Sequence, residues 1–384
     1  MNAKTVLVLG GGVGGLVAAN RLRAALPREH RVILLDRESR HLFQPSLLWL
    51  AVGSRETDRI QRPLERLRRK GIEVVQVEIE QIDLEAMSVQ AGGRELVGDA
   101  LIISLGADLV PESIPGLADT GHNLFTLAGA LSLRAALRDF RGGRLVILTA
   151  APAYKCPAAP YEAAMLIEHY CRRQGTRGEV TLALYAAEPG PLGVAGPEVS
   201  AAVRQIVEAK GIHYHPEHQV TTVDPAGRRV SFANGTTAGY DLLAYVPAHR
   251  APVVVRRAGL VGDGGWVSVD RHTLETSHAG VFAIGDMTAI PLTIGKPLPK
   301  AGVFAHAQAE VVAANLVNRW TGGAKQRSFD GYGQCFLETG GGRAGLGAGN
   351  FYGEPAPNVK LHAPSRRWHW GKVFFEWRWL RQWF

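Results

Sequence analysis

The sequence predicts an α/β fold of two doubly wound, nucleotide-binding-type domains followed by an amphipathic C-terminal segment. Three observations predict it: a glycine fingerprint between an apolar strand and a helix, an internal repeat of strand pattern, and an aromatic, basic tail. Of the 384 residues, 46% are hydrophobic and 20% are charged, which excludes disorder and fibrous repeats. No apolar run approaches the roughly 20 residues that a membrane-spanning helix requires.

The N-terminal region is typical of a βαβ unit. Residues 4–9 form an apolar strand, and the loop after it carries three glycines in G-x-G-x-x-G spacing, Gly10, Gly12 and Gly15. Glycine lets the turn tighten and lets backbone N–H groups approach a pyrophosphate at the helix N-terminus. Asp36 follows about 20 residues later, where an acid binds a ribose hydroxyl and disfavours a 2′-phosphate. This context predicts a dinucleotide site, and a glycine-rich turn without a ligand is the alternative.

A weak internal repeat predicts the domain organisation. Residues 78–107 and 218–248 share one order: strands joined by glycine turns, an Asp and a closing apolar strand. The second block opens with an apolar strand at 144–148 and a helix at 160–171. The residues after 248 must then return to complete the first domain. The expected bounds are 1–111 and 249–325 for the first domain, 112–248 for the second domain and 326–384 for the C-terminal region.

The loop after the second domain's first strand carries the sharpest motif. It reads TAAPAYKCPAAPYE over residues 149–162, without a glycine that would admit a pyrophosphate and with prolines that stiffen it. Cys156 stands there beside Lys155, just before a helix that begins near Pro160. The lysine and the helix N-terminus should both favour the thiolate, so Cys156 is predicted to be a competent nucleophile. A small, inert apolar cysteine is the alternative.

A second fingerprint, Gly285-Asp286, ends another apolar strand. Together with residues 10–15, Asp36 and Gly106, it resembles the two-dinucleotide-domain flavoproteins, whose fold is the glutathione-reductase-type pair of Rossmann-like domains. The resemblance implies FAD as the cofactor. It assigns the ADP half of FAD to the first fingerprint and the ribityl chain to Asp286.

Further segments resemble the sulfide:quinone oxidoreductases and the related flavin subunit of flavocytochrome c sulfide dehydrogenase: residues 43–53, 155–157, 299–302 and 333–336. The resemblance implies two redox cysteines beside the flavin, Cys156 and Cys335, the latter in a loop flanked by glycines. It also implies oxidation of sulfide to sulfane sulfur or polysulfide, with the electrons passed to membrane quinone. Many family members have a third cysteine near residues 124–126, and this chain has none there, which leaves the length of the sulfur chain open.

The same resemblance suggests roles for four more residues. It puts Lys300 beneath the pyrimidine edge of the flavin, where a cation stabilises the anionic reduced ring, with a solvated surface lysine as the alternative. Glu162 is either a proton acceptor near the flavin or merely an acid in the first turn of a helix. Phe336 and Pro45 are the expected quinone contacts, and Pro45 is also expected beside FAD. No residue pattern predicts a metal site.

The C-terminal segment is aromatic and basic. Residues 361–384 hold five Lys and Arg against one Glu, half of the net charge of +8, and five of the eight tryptophans lie within 366–384. Charge concentrated at one end favours a membrane surface over nucleic acid. The segment Trp368–Phe384 is therefore predicted to be an interfacial helix, with packing on the protein's own body or on a second copy as the alternative. Its predicted apolar face consists of Trp370, Val373, Phe374, Trp377, Leu380 and Phe384.

The sequence also predicts where the protein is located, and it leaves competing functions open. The first residues run into a strand and leave no room for a signal peptide, so we expect a peripheral membrane protein on the cytoplasmic face, with homo-oligomerisation left open. A type II NADH:quinone dehydrogenase is the first rival, disfavoured by the missing second glycine fingerprint. The others are a sulfide dehydrogenase flavin subunit that reduces a cytochrome and a non-enzymatic flavin redox sensor at the membrane.

Overall fold

The computed structural model describes residues 3–323 and 325–384. Within them lie the α-helices α1 (Val13–Ala25), α2 (Leu47–Ala51), α3 (Leu127–Asp139), α4 (Ala159–Arg173), α5 (Pro197–Glu208), α6 (Val253–Arg257), α7 (Gly302–Thr321) and α8 (Arg366–Gln382). The strands are β1 (Thr5–Leu9), β2 (Arg31–Asp36), β3 (Arg40–Leu42), β4 (Gln61–Pro63), β5 (Glu73–Gln76), β6 (Ile79–Asp83), β7 (Ser88–Ala91), β8 (Arg94–Val97), β9 (Ala100–Ile103), β10 (Asp108–Leu109), β11 (His122–Asn123), β12 (Gly143–Thr149), β13 (Val180–Tyr185), β14 (His213–His215), β15 (Val220–Asp224), β16 (Arg229–Phe232), β17 (Thr237–Gly239), β18 (Leu242–Val246), β19 (His249–Arg250), β20 (Val281–Ala283), β21 (Tyr332–Gly340), β22 (Arg343–Asn350) and β23 (Asn358–Ser365).

Two five-stranded parallel sheets form the framework, and their strand orders correspond. The first sheet runs β20-β9-β1-β2-β5 and the second runs β11-β18-β12-β13-β14. Strand β20 comes from the chain after the second sheet and pairs with β9, so the first sheet is built from two separate parts of the chain. Apolar side chains cover both faces of β1 and β9, as continuous hydrophobic runs in a parallel sheet require. In such sheets ligands bind beyond the carboxyl ends of the strands, which places the fingerprint loops at one edge.

A three-stranded antiparallel sheet, β21-β22-β23, follows the first sheet and leads into α8. Cys335 lies inside β21, opposite Gly347 of β22, and not in the loop that the flanking glycines predict. Glycines in this sheet serve close packing: a Cβ added to Gly333 would lie 2.4 Å from the ring of Phe304, and one added to Gly349 of β22 would lie 2.0 Å from the carbonyl oxygen of Asn358. The loop prediction was wrong because glycine marks crowding in a strand as well as freedom in a turn.

The C-terminal helix α8 packs one face on the body and leaves the other exposed. Its side chains Trp379, Leu380 and Trp383 are buried, and the indole N–H of Trp379 donates to Nε2 of His41 at 3.1 Å. Trp370 is 66% exposed and Trp377 is 48% exposed. The predicted outer face was wrong for three residues, because α8 needs apolar contacts with the body: Leu380 is buried, and Val373 and Phe384 are half-buried against the core. Among the described residues, none of the helices has the length and apolarity needed to cross a bilayer.

Candidate active site

The first glycine loop donates a hydrogen bond to Asp36 and leaves open space beside Gly12. Gly10 has a left-handed backbone (φ +98°), and an added Cβ would lie 2.5 Å from the carbonyl oxygen of Ser104. A Cβ on Gly12 would meet no atom of the described residues within 4 Å. The N–H of Gly11 donates to the Asp36 carboxylate, whose pKa is raised by burial against the opposing effect of backbone N–H donors. An open glycine at the N-terminus of α1, beside an acid at the end of β2, fits the adenosine and pyrophosphate part of a dinucleotide.

The third glycine of the first fingerprint, Gly15, allows the helix to pack closely against the strand. A Cβ on Gly15 would lie 1.8 Å from the carbonyl oxygen of Gly10, so only glycine allows α1 to begin this close to β1. Gly106, in the loop after β9, also has a left-handed backbone (φ +69°) and open space where a Cβ would stand. Gly12 and Gly106 thus both leave space beside the backbone, in the loops after β1 and β9.

Asp286 presents a buried acceptor without a donor. Its Oδ1 atom is buried, with no hydrogen-bond partner among the described residues, and it follows Gly285, whose N–H is held by the Gln308 side chain at 2.8 Å. Burial raises the pKa of Asp286, while Lys155 and Lys300 act against that rise. A buried unpaired carboxylate oxygen is costly and points to a missing donor such as a ligand hydroxyl. The residues present therefore fit the ribityl chain of FAD.

The Cys156 loop contacts the segment that precedes α7. Cys156 has a left-handed backbone (φ +50°), rare for a residue with a side chain, and its N–H donates to the carbonyl oxygen of Lys300 at 2.6 Å. Lys300 is buried, not a solvated surface lysine: its amino group donates to Thr288 at 2.9 Å and lies 3.4 Å from the ring centre of Trp266. Burial lowers the pKa of Lys300 to about 8, against the opposing charge of Asp286. Strained backbone held this firmly is typical of functional loops.

Cys156 and Cys335 belong to one cluster of charges. Both are free thiols, and a negative charge on Cys335 raises the pKa of Cys156. The carboxylate of Glu162 and the amino group of Lys372 act on both sulfurs, Glu162 raising and Lys372 lowering their pKa values. The fold thus brings together a loop of the second domain, a strand of the C-terminal sheet and a residue of α8.

The surroundings of Cys156 oppose the predicted thiolate, which stays a prediction. The surrounding protein partly shields Cys156 from water, and this desolvation, the largest cause, raises the pKa of Cys156 well above its ordinary value, whereas Cys335 is exposed. Lys155 does not offset this, because it interacts chiefly with Asp286 and lies 5.5 Å from the ring centre of Phe125. Low dielectric disfavours the charged form of a thiol more than one neighbouring cation favours it here.

Glu162 and Lys372 form a buried ion pair within this cluster. Glu162 lies in the first turn of α4, and its Oε1 accepts from Lys372 Nζ at 2.9 Å and from the N–H of Glu338 at 2.7 Å. Burial lowers the pKa of Lys372, but Glu162 and Glu338 outweigh burial and raise it overall. The sequence reading counted Lys372 among the membrane-facing cations, which was wrong. The signal it missed is the helical spacing of Lys372, Glu376 and Trp379, which places them on one face.

Two more carboxylates fasten α8 beside the cysteines. Glu338 lies 3.0 Å from Nδ1 of His369, and the pKa of Glu338 is raised, mainly by burial. Glu376 accepts from the hydroxyl of Ser46 at 2.6 Å and pairs with Arg55 at 2.8 Å. None of these partners follows from local sequence, because each pair joins residues far apart in the chain.

The two predicted quinone contacts both lie near α8. Phe336 is half-buried, and its ring lies 3.2 Å from where a Cβ on Gly371 would stand, so glycine at this point of α8 makes room for it. Pro45 is exposed in the turn before α2, next to Ser46, which binds Glu376 of α8. The structure brings Phe336 to the cysteine cluster through its neighbour Cys335 and leaves Pro45 at the surface.

The corresponding edge of the second sheet is filled by the chain itself. Glu188 lies just beyond β13, as Asp36 does at the end of β2. Its carboxylate accepts from the hydroxyls of Thr149 at 2.9 Å and Tyr161 at 2.8 Å, and also from that of Tyr154. Tyr154 belongs to the Cys156 loop and is buried. A second dinucleotide would need this acid and this space, and both are occupied.

Comparison with known proteins assigns the family. The family model described as pyridine nucleotide-disulphide oxidoreductase matches residues 4–309. The chain belongs to the pyridine nucleotide-disulphide oxidoreductase family. This membership agrees with the α/β fold that the glycine motifs predict.

Individual relatives agree with the predicted resemblance. The mitochondrial sulfide:quinone oxidoreductase of Mus musculus is 26% identical over 380 residues, covering 95% of this chain and 82% of the relative. The crystal structure of the sulfide:quinone oxidoreductase from Aquifex aeolicus superposes with a TM-score of 0.89 at 26% identity, covering 99% of this chain and 92% of that one. A type II NADH:quinone oxidoreductase of Mycobacterium tuberculosis is 26% identical over 318 residues, 74% of this chain and 66% of the relative. The resemblance to the sulfide:quinone oxidoreductases is confirmed, and it supports FAD as the cofactor.

Proposed function

We propose that this protein oxidises sulfide to sulfane sulfur or polysulfide with the Cys156–Cys335 pair and that FAD passes the electrons to membrane quinone. The observation that carries the proposal is the single cluster of Cys156, Cys335, Glu162 and Lys372, joined to the FAD-type segment by the hydrogen bond from Cys156 to Lys300. The similarity to sulfide:quinone oxidoreductases over nearly the whole chain supports it.

Residues at the edge of the first sheet would hold the cofactor. The glycine loop with Gly10, Gly12 and Gly15 and the N-terminus of α1 would bind the pyrophosphate, with Asp36 on a ribose hydroxyl. Asp286 would accept from the ribityl chain, which satisfies its unpartnered oxygen. Bound FAD supplies an acceptor for two electrons and hands them to quinone. Lys300 precedes the N-terminus of α7, and both favour negative charge beside them.

The sulfur chemistry begins with the two cysteines joined as a disulfide. HS⁻ attacks one sulfur, forming a new S–S bond to that cysteine and releasing the other cysteine as a thiolate. The persulfide and the thiolate then join as a trisulfide, which releases one proton and two electrons. The two electrons would go to the acceptor that the residues at the edge of the first sheet would hold. A further HS⁻ removes the extra sulfur as a hydrodisulfide and restores the disulfide without net electron change.

The buried pair at α8 would handle charge and protons in this cycle. Lys372 lowers the pKa of both thiols, so its cation stabilises a leaving thiolate in surroundings that otherwise disfavour one. Glu162 fixes Lys372 in place at 2.9 Å. Both side chains lie buried between α4 and α8, where bulk water cannot supply this compensation.

Reduction by NADH is disfavoured by the second sheet. Glu188 occupies the position of a ribose-binding acid, but three hydroxyls of the chain already donate to it. The loop of residues 150–158 replaces the glycines that a pyrophosphate needs. The same geometry therefore supports sulfide and opposes NADH as the reductant.

Membrane docking through α8 is the remaining part of the proposal. The aromatic side chains Trp370, Phe374, Phe375 and Trp377 are exposed on the face opposite the buried one. Aromatic rings with flanking arginines are typical of helices that lie in the membrane interface. A peripheral position on the membrane would let quinone reach Phe336 and Pro45 beside α8. The cytoplasmic face and a homo-oligomer stay predictions.

The test is anaerobic titration of the purified FAD-loaded protein with sulfide and, separately, with NADH. We expect sulfide to bleach the flavin absorbance and NADH to leave it unchanged. Cys156→Ser and Cys335→Ser should each retain FAD and lose sulfide-dependent bleaching, while Cys171→Ser, at a buried cysteine elsewhere in α4, should behave like the parent. Normal bleaching in either of the first two variants refutes the cysteine assignment. Bleaching by NADH would favour the type II dehydrogenase, and bleaching without turnover of a short-chain quinone would favour a redox sensor.

A further inference from the structure

A separate groove lies between the loop that follows α2 and the outer part of α8. Its volume is about 510 Å³, and neither Glu162 nor Lys372 is among the residues that line it. Four arginines line it, Arg55, Arg59, Arg62 and Arg381, together with apolar side chains of α8 that include Trp377. The groove thus combines cationic and apolar walls.

The carboxylates at this groove are already engaged. Glu376 pairs with Arg55 at 2.8 Å, and Glu56 pairs with Arg134 at 2.7 Å. In the described part of the chain, no carboxylate lies within 4 Å of the guanidinium groups of the other three lining arginines, Arg59, Arg62 and Arg381. The groove therefore carries an excess of positive charge that the protein does not neutralise.

The guanidinium group of Arg62 is fixed at the groove by a hydrogen bond to α8. Its Nε donates to the carbonyl oxygen of Leu380 at 3.2 Å, which ties it to α8. Its pKa is lowered first by burial and then by four neighbouring arginines, Arg66, Arg40, Arg381 and Arg59. Guanidinium groups that repel one another at a preformed concavity are relieved by an anion, and their planar forks match phosphate oxygens.

The groove opens beside the exposed aromatic face. Trp377 lines it and is 48% exposed, and its ring stacks on that of Phe374, which is 56% exposed, at 5.5 Å. A ligand complementary to this arrangement has an anionic head for the arginines and an apolar tail for the aromatic rings. A free inorganic anion would use only the first of these features.

We propose that this groove binds the phosphate headgroup of an anionic membrane phospholipid, with the acyl chains along the exposed aromatic face of α8. The proposal rests on the membrane docking proposed above and gives it a lipid preference. Such a lipid would fix the orientation of α8 against the membrane, with its buried face turned toward the cysteine cluster.

The test uses the full FAD-loaded chain and calorimetric titration with monomeric short-chain lipids. The probes are dihexanoyl phosphatidylglycerol, dihexanoyl phosphatidylcholine and inorganic phosphate. The groove variant is Arg59→Gln/Arg381→Gln. The matched control is Arg366→Gln/Arg367→Gln, which removes the same charge from the exposed start of the same helix. Equal FAD content of the proteins verifies folding, and Arg59→Gln alone, at an exposed side chain, is the milder second variant.

We expect phosphatidylglycerol to bind at least tenfold tighter than the other two probes. The groove variant should weaken that binding at least tenfold, and the control should change it less than twofold, since each cation next to an anionic lipid is worth about fivefold in affinity. If both double variants weaken phosphatidylglycerol binding equally, the lipid responds to the net charge of the protein and not to the groove. Phosphate binding as tight as the lipid would make this a free-anion site, and displacement of the lipid by a short-chain quinone would assign the groove to quinone. Any of these overturns the proposal, and because no turnover is measured, its failure leaves the sulfide assignment untouched.

Discussion

At the scale of single residues, the buried ion pair between Glu162 and Lys372 sets the charge around the two cysteines. Both side chains are 5% exposed, and the Lys372 amino group also lies 4.8 Å from the ring centre of Trp49. A buried pair of this kind contributes little net stability, but removal of one partner leaves an uncompensated charge. The pair is therefore better explained by its effect on the thiols than by its effect on folding.

A double-mutant cycle on this pair separates the two effects. Lys372→Met and Glu162→Gln should each lower the free energy of unfolding by about 3–5 kcal/mol, whereas the double variant should recover most of that loss. Urea denaturation of the FAD-loaded proteins gives the values. In the double variant we also expect sulfide-dependent bleaching to slow, because no cation then stabilises the leaving thiolate. Additive losses, or unchanged bleaching in the double variant, would contradict this role.

At the scale of elements, α8 has two faces with different partners. The buried face carries Trp379 and Trp383, and the exposed face carries Trp370, Phe374 and Trp377. The variant with all three exposed aromatics changed to Ser should keep its urea midpoint, because surface changes cost within about 0.5 kcal/mol. Its binding to phospholipid vesicles should fall at least about 100-fold, since each half-buried aromatic ring contributes over a kcal/mol. Cosedimentation with the vesicles measures this binding.

Val97→Ser is the matched control for that experiment. Val97 is 61% exposed on β8, away from α8, so its loss should leave vesicle binding unchanged. Vesicle binding retained by the triple variant would assign the exposed aromatics to a second copy of the chain or to another protein.

The contact between α8 and the first domain should depend on pH through His41. His41 is buried, accepts from Trp379 at Nε2 and contacts the carbonyl oxygen of Gly11 through Nδ1, so Nδ1 carries its single proton. Burial lowers the pKa of His41 to about 4 from 6.5. Between these values the unfolded chain binds a proton that the folded one does not. Stability is thus complete above pH 6.5 and is lost as the pH falls toward 4, by about 1.4 kcal/mol per unit.

The His41→Gln variant tests whether His41 causes this pH dependence of stability, because Gln can keep both hydrogen bonds and does not titrate. Urea midpoints followed by tryptophan fluorescence at pH 7, 6, 5 and 4.5 should fall more steeply for the parent than for the variant. Other groups contribute equally to both proteins, so parallel slopes would exclude His41 as the origin.

At the scale of the whole molecule, the candidate cofactor site joins distant parts of the chain. Gly10–Gly15 and Asp36 come from the beginning, whereas Asp286 comes from the segment that returns to the first sheet through β20. The buried Oδ1 of Asp286, which no donor among the described residues reaches, is costly unless a ligand supplies a hydrogen bond. Binding of FAD should therefore stabilise the assembled sheet, by about 2.7 kcal/mol at a concentration 100 times its Kd.

Asp286→Ala should act in opposite directions on the two forms. The apoprotein should become as stable as the parent or more stable, because a costly buried carboxylate is gone, while FAD affinity should fall about 10- to 100-fold with the lost hydrogen bond. Fluorescence titration of the apoprotein with FAD and its thermal midpoint measure the two effects. Asp263→Ala, at an exposed residue, is the control. Undiminished FAD affinity in the Asp286 variant would remove this residue from the cofactor site.

Much of the fold and part of the site could be predicted because they depend on local backbone chemistry. The close approach of Gly15 to Gly10 needs glycine whatever surrounds it, and the apolar runs of β1 and β9 need cover on both faces. The loss of glycine and the gain of Cys156 after β12 are likewise visible in a single loop, so a site without a second nucleotide could be inferred from it.

The features that the sequence does not predict all depend on packing between distant segments. Cys335 lies in a strand because β22 pairs with it, Lys372 faces inward because α8 docks on the first domain, and Glu162 acquires a charged partner 210 residues away. The raised pKa of Cys156 follows from desolvation by distant segments, which no local motif encodes. The sequence by itself determined the two nucleotide-type sheets, the family and the cysteine loop, because these are constraints on single segments. Only the tertiary structure decided which face of α8 is buried and which charges surround the sulfurs, because both depend on which surfaces exclude water from one another.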